Sequence, residues 1–137
     1  MSVHISKGGC QCGEIKISLK GEPVKSFICY CIDCRKGSGH LGQILSYYDT
    51  KNIEITDSKS YLREFIVGNT KSGVPKKKEF CGNCGSTIRT LPMKYNGEVS
   101  MVRPTLLDEN FTMCVPKIAI FGESKTEYVE GLQNDFF

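Results

Sequence analysis

Eight cysteines punctuate this chain of 137 residues, and seven of them fall into three tight groups. The densest is Cys29-Tyr30-Cys31-Ile32-Asp33-Cys34. Three thiols in so short a stretch cannot all face apart, so they converge on something. Thiolates are soft donors, and a tight cysteine cluster in a chain without an export signal reads as a zinc site before a disulfide site. The cluster offers three ligands where tetrahedral zinc takes four.

The remaining pairs, Cys10/Cys12 and Cys81/Cys84, supply four ligands between them. Each pair sits where a strand-like run meets a glycine-rich turn, in Gly8-Gly9-Cys10-Gln11-Cys12-Gly13 and Phe80-Cys81-Gly82-Asn83-Cys84-Gly85. Two such pairs are the usual construction of a closed four-thiolate zinc site that ties distant strands together. Glycines flanking Cys10 and Cys12 suit a tight backbone loop, and the glycine after Cys84 suits a positive φ. Cys29, Cys31 and Cys34 are then left needing a fourth donor. Cys114 is the one unassigned thiol and would close the site; Asp33, His40 and Asp108 are weaker candidates of the same kind. A protein donor makes the site structural, whereas water or substrate makes it reactive.

An open three-thiolate site has a definite chemical bias. Its ligands outweigh the charge of a divalent ion, so it polarises a carbonyl weakly but accepts a soft thiol readily. A thiol bound there loses its proton and becomes a positioned nucleophile at neutral pH. Arg35 and Lys36 follow directly and suit the carboxylates of a small acidic thiol such as glutathione; with Ser38 they are the candidate substrate-binding residues. The bland alternative for this segment is a solvated basic turn.

The elements that must position these thiols read as strands. Ile15, Ile17 and Leu19 alternate with Glu14, Lys16, Ser18 and Lys20, a period of two with one buried face. Residues 24–28 run as a second strand into the central cluster. Residues 42–48, 52–56 and 60–67 are further candidates, rich in Ile, Tyr, Phe and Val. Residues 86–91 and 97–102 follow, divided by Asn96-Gly97, and 118–121 come last. Residues 35–40 suit only a brief helical turn, because glycine and serine limit it. The stretch from Lys71 to Lys78 reads as a loop or hairpin tip, its lysines a solvated turn before they are a contact for an acidic partner. No window carries a helical apolar stripe. The expected class is mainly β, in one domain over residues 1–137.

Composition bounds the rest. Apolar residues at 39 % are ordinary for a globular chain, and a formal charge of +3 is too small to point to nucleic acid. No apolar run suits a membrane helix, and the amino terminus lacks a basic segment followed by an apolar one. A sequon at Asn110-Phe111-Thr112 therefore carries no weight. A cytoplasmic, reduced protein is the expectation.

Taken together, the three cysteine stretches, with Leu107-Asp108-Glu109 and the run from Pro116 to Phe121 as a weaker tail, resemble the glutathione-dependent formaldehyde-activating family, also called the Gfa or centromere-protein-V-like family. The resemblance implies a β-tent of antiparallel sheets, a structural zinc on Cys10, Cys12, Cys81 and Cys84, and a second zinc on Cys29, Cys31 and Cys34. There the family joins glutathione and formaldehyde into S-hydroxymethylglutathione, which makes those three cysteines the expected catalytic set. Tyr30 and Ala119 stand where family members often carry histidine, and Tyr128 is the nearest aromatic to a frequent late tryptophan. These departures touch no metal ligand.

Two function classes follow. One is a zinc-dependent carbon–sulfur lyase acting on a small thiol and an aldehyde, with zinc as its only cofactor. The other is a zinc-stabilised, non-catalytic binding module for a macromolecular partner. The three-ligand cluster favours the enzyme, since a scaffold has no use for it. Redox sensing is the weaker third, because ligation protects thiolates from oxidation.

Overall fold

The computed structural model describes residues 4–125. Its strands are β1 (Ile5–Gly9), β2 (Ile15–Lys20) and β3 (Lys25–Cys29), followed by a helix, α1 (Ile32–Ser38). Then come β4 (Gln43–Asp49), β5 (Ile53–Asp57), β6 (Leu62–Val67), β7 (Lys76–Cys81), β8 (Thr87–Pro92), β9 (Val99–Val102) and β10 (Ile118–Ile120). Short 3-10 turns join several of them, at Thr50–Asn52, Met93–Tyr95 and Pro104–Leu106 among others. No helix among the described residues is long and apolar enough to cross a membrane.

The strands form two sheets. The smaller has the order β1-β2-β5 and the larger β10-β3-β4-β9-β8-β7-β6. The mainly β expectation therefore holds, and every pairing is antiparallel except one: β10 lies parallel to β3, with Ala119 opposite Ile28. That departure from an all-antiparallel fold arises because the chain returns to β3 only after a long excursion, through Pro104–Leu106 and the turn at Phe111–Cys114, and arrives in the same direction.

The period of two read for β2 is real. Ile15, Ile17 and Leu19 are buried while Lys16 and Lys20 face solvent. Those three side chains meet Tyr48 of β4, Ile88 of β8 and Val102 of β9 in the larger apolar cluster, which also takes in Cys10 and Cys81. A second cluster, around Phe27, Leu45, Cys29 and Cys34, is closed by Met101, Ile120 and Phe121. Each group of cysteines is thus rooted in its own core. Between the sheets, the Asp57 carboxylate at the end of β5 accepts from the backbone N–H of Tyr61 (2.8 Å) and Leu62 (2.9 Å) at the start of β6.

Two readings of the sequence are corrected. Gly8 and Gly9 belong to a regular strand, β1, rather than to a loop; Gly8 pairs with Ile17 and Gly9 with Lys16. Glycine is needed here for closeness, because Leu107 bridges to Gly8 on its open side. A Cβ on Gly8 would run into the Leu106 carbonyl oxygen and lie 2.7 Å from the Leu107 Cα. Second, only residues 71–75 of the lysine-bearing stretch belong to the tip of the β6–β7 hairpin. Lys76, Lys77 and Lys78 are half-buried residues of β7, paired on both sides with β6 and β8. Composition marked them as solvated, but the neighbouring strands supply a full ladder on either side.

Gly8→Ala tests the first point. Overpacking against backbone that cannot rotate away lowers stability by about 1–3 kcal/mol, read as a lower urea midpoint at unchanged slope.

Candidate metal centres and their cleft

The turns of two hairpins from different sheets bring the first four thiols together. Between β1 and β2 the Cys10 N–H donates to the Ile15 carbonyl (3.0 Å) and Gly13 N–H to the Cys10 carbonyl (3.0 Å). Between β7 and β8 the same pattern recurs, with Cys81 N–H to Ser86 (2.9 Å) and Gly85 N–H to Cys81 (2.8 Å). Gly13 and Gly85 follow the second thiol of each pair at φ of 79° and 82°, a region costly for any residue with a Cβ. The turns dock where Gln11 N–H donates to the Ser86 hydroxyl at 3.0 Å.

The Sγ atoms of Cys10, Cys12, Cys81 and Cys84 lie within 4.8 Å of one another. Cys10 and Cys12 are 3.5 Å apart, and Cys12 and Cys81, separated by 69 positions in sequence, are 3.8 Å apart. Backbone N–H groups point at the sulfurs, from Ile15 to Cys10 (3.4 Å) and from Cys84 to Cys81 (3.5 Å). Burial pushes the Cys81 thiol up to about 11. Burial acts the same way on Cys84, but hydrogen bonds from the Ser86 hydroxyl and N–H outweigh it and bring that thiol down to about 5.

The second group is local. Cys29 ends β3, Cys31 is the N-cap of α1, and Cys34 lies buried in its first turn. The helix starts earlier than the sequence suggested, because the Cys31 sulfur accepts from Cys34 N–H at 3.4 Å and takes the place of a hydroxyl or carboxylate cap. Gly39 ends it in the left-handed conformation. The three sulfurs also lie within 4.8 Å of one another. A hydrogen bond from Cys34 lowers Cys29 to about 6 against its burial, aided by the N–H of Cys31 and the charge of Lys76. That bond, with burial, raises Cys34.

No further His, Cys, Asp or Glu ligand atom among the described residues joins this group. Cys114 is wholly buried in the larger core, and burial pushes its thiol up. His40 and Asp108 line a separate cavity of about 880 Å³. Asp33 lines the same cleft as the thiols without joining them.

That cleft measures about 630 Å³ and has Cys29, Cys31 and Cys34 in its wall. Six cationic residues line it, Lys36, Lys71, Lys76, Lys78, Lys94 and Arg103, against the single carboxylate of Asp33. Lys76 and Lys78 reach it together because alternate residues of β7 share a face. The Lys78 Nζ comes within 3.1 Å of where a Gly37 Cβ would stand, so it crosses to α1. Phe27, Leu45 and Met101 form the apolar wall.

Of the three substrate-binding candidates, Lys36 lines this cleft. Arg35 is exposed on α1 and lines neither cavity. Ser38 borders the other cavity, its hydroxyl donating to the Gly42 carbonyl (3.0 Å) and accepting from His40 N–H (3.0 Å). Tyr30 borders that cavity as well, Ala119 is in β10, and Tyr128 lies outside the described residues.

Sequence reasoning passed over Lys76, Lys78 and Arg103. Arg103 directly follows β9 and is 6 % exposed. Its Nη1 donates to the Met101 carbonyl and Nη2 to the Thr90 hydroxyl, both at 2.8 Å. With the Gln43 amide oxygen turned towards it, Gln43 accepts from Nε and, at 3.1 Å, from Nη2. Burial brings the guanidinium down to about 10, opposed by the charges of Cys34 and Cys29. A charged residue closing an apolar strand just before a proline was the one available signal.

Comparison with known proteins agrees with this arrangement. The family described as glutathione-dependent formaldehyde-activating enzyme matches residues 5–124. Among solved structures, a Rhodobacter sphaeroides protein determined as a structural genomics target superposes with a TM-score of 0.62. It shares 19 % identity, over 82 % of this chain and 98 % of its own, a likeness that speaks to fold alone. Comparison with curated proteins finds no match.

The two thiol groups differ in what they hold, and substitution separates them. Cys81→Ala removes a link between sheets and abolishes cooperative unfolding; Cys34→Ala leaves a folded chain, both read by circular dichroism with elemental analysis. Cys114→Ala leaves metal content unchanged and costs about 1 kcal/mol, the scale of one small buried group. A lost metal equivalent in that variant would make Cys114 a ligand.

Proposed function

The chain belongs to the glutathione-dependent formaldehyde-activating family, and on that premise we propose that it is a zinc-dependent carbon–sulfur lyase joining a small thiol to an aldehyde. Glutathione and formaldehyde are the proposed pair, and the reaction also runs in reverse to cleave the adduct. One observation carries the reading: three convergent thiols, with no fourth side-chain donor among the described residues, open onto a cation-lined cleft.

The donor sets suit zinc. A tetrahedron with metal–sulfur bonds of about 2.3 Å has edges of about 3.8 Å, and the measured sulfur separations in the four-thiol group are 3.5 and 3.8 Å. Cys10, Cys12, Cys81 and Cys84 would hold a structural ion, and Cys29, Cys31 and Cys34 a second one that keeps a place for substrate. Bound at the second site, zinc would keep a substrate sulfur as its thiolate at neutral pH. Seven ligand thiols serve only where they stay reduced, so the cytoplasm is the proposed compartment.

The chain's own residues do the rest. Lys36, Lys76 and Lys78, which line the cleft, would take the carboxylates of an acidic thiol, and Phe27, Leu45 and Met101 would exclude water from its sulfur. The substrate sulfur forms a bond to the aldehyde carbon, the carbonyl π pair moves to oxygen, and that oxygen takes up the proton the thiol gave. Asp33, on the cleft wall, is the proposed carrier of that proton. Product is a hydroxymethyl thioether; no hydride moves, so no redox cofactor is required.

Cobalt substitution at the second site tests this. The sulfur-to-cobalt charge-transfer band changes with glutathione and not with S-methylglutathione, and NMR shows adduct formation with formaldehyde faster than in buffer. An unchanged spectrum and an uncatalysed rate overturn the reading. Lys78→Gln weakens glutathione about two- to fivefold, the range of a solvent-screened charge pair, and leaves 2-mercaptoethanol unaffected.

A further inference from the structure

The two interior arginines are treated differently. Arg89 of β8 meets the Glu79 carboxylate of β7, both partners largely buried, and also reaches the Ser100 hydroxyl at 3.2 Å. Arg103 is more deeply buried, yet every partner that holds it is neutral: a carbonyl, a hydroxyl and an amide oxygen. Among the described residues no carboxylate forms an ion pair with it. A guanidinium taken out of water without an anion is a heavy cost, and folded chains seldom carry it unbalanced.

The group that can supply an anion lines the same cleft wall. Arg103 shares that wall with Cys29, Cys31 and Cys34, and Cys34 followed by Cys29 are the groups whose charge acts on it. A divalent ion with three thiolates carries one net negative charge, and one guanidinium cancels it. We propose that Arg103 is the counter-cation of the three-thiolate centre, a positioning residue that sets how tightly the second ion is held and how electron-rich the sulfurs around it are. Gln43 and Thr90 aim it, since their oxygens fix the plane of the guanidinium. Lys76, the other cation acting on Cys29, then offsets the further charge that a substrate thiolate brings. Such outer groups tune affinity without touching the ion.

The inference rests on the reading that Cys29, Cys31 and Cys34 hold a metal ion, and the test separates the two. Zinc affinity at both sites of the full chain is measured by chelator competition for wild type, Arg103→Lys, Arg103→Gln and Gln43→Glu. Arg103→Gln weakens the second ion by about 10- to 100-fold and leaves the four-thiol ion unchanged. Arg103→Lys, which keeps the charge and loses the fork, retains most of that affinity. Gln43→Glu keeps an acceptor on Nε and Nη2 but hands the guanidinium a carboxylate, so it weakens the second ion as Arg103→Gln does. It decides the matter should Arg103→Gln fail to fold. In the cobalt form the thiolate charge-transfer band of Gln43→Glu moves to lower energy, a shift that packing alone does not cause. Wild-type affinity in Arg103→Gln or Gln43→Glu overturns the inference while leaving the lyase intact, as does Arg103→Lys losing as much as Arg103→Gln. A wild-type chain that binds a single ion overturns both.

Discussion

Sulfur atoms that begin far apart in the chain end within 4.8 Å of one another, and much of the surrounding architecture serves that convergence. Cys12 and Cys81 are 69 positions apart and their sulfurs 3.8 Å apart. A metal bound across them would remove about 4 kcal/mol of unfolded-chain entropy on the cross-link model, a large share of what a small domain has to spare. The geometry around it is correspondingly constrained. Gly13 and Gly85 release the chain from the thiol turns in the left-handed region, Gln11 and Ser86 lock the turns together, and the irregularity at Glu79/Phe80 re-aims β7 as it enters the second turn. The thiol turns thus add a further tie between two sheets that already share the larger apolar cluster.

The three-thiol group obeys a different logic. Its members span one strand end, one helix cap and one helical turn, so their convergence is local. They sit against the smaller apolar cluster, which the parallel strand β10 completes. On the proposed reading, holding the fold and presenting an open coordination position fall to separate sulfurs. A centre that keeps a place for substrate would lose its ion without taking the sheets apart, and a centre that ties the sheets would offer no place to a ligand.

What the sequence disclosed tracks how local the cause was. The cysteine spacing, the alternation in β2 and the turn glycines act over a few residues, and each is found where the pattern put it. β1 was hidden because Ser6, Lys7, Gly8 and Gly9 have weak strand propensity, and it forms because Ile17 and Leu107 close on it. Lys76 to Lys78 read as solvent-facing by charge, but pairing with β6 and β8 outweighs composition. Arg103 left only a faint signal for a related reason: the thiols whose cleft it shares lie in another segment of the chain, and only the fold brings them to one wall.

The pairing of β4 with β9 sets Asp49 against Val99, with β5 to β8 looped out between them. Strand pairs so distant close late, and chains dominated by them fold in milliseconds to seconds. For that interval the thiols stand open to solvent, and metal ions and oxidants compete for them on equal terms. The cluster of Cys29, Cys31 and Cys34 is at full local concentration from the start, whereas the pairs at Cys10/Cys12 and Cys81/Cys84 wait on the sheets. Whether these sulfurs end as ligands or as disulfides would then be a race between metal supply and oxidation, decided before the native state exists to express any preference.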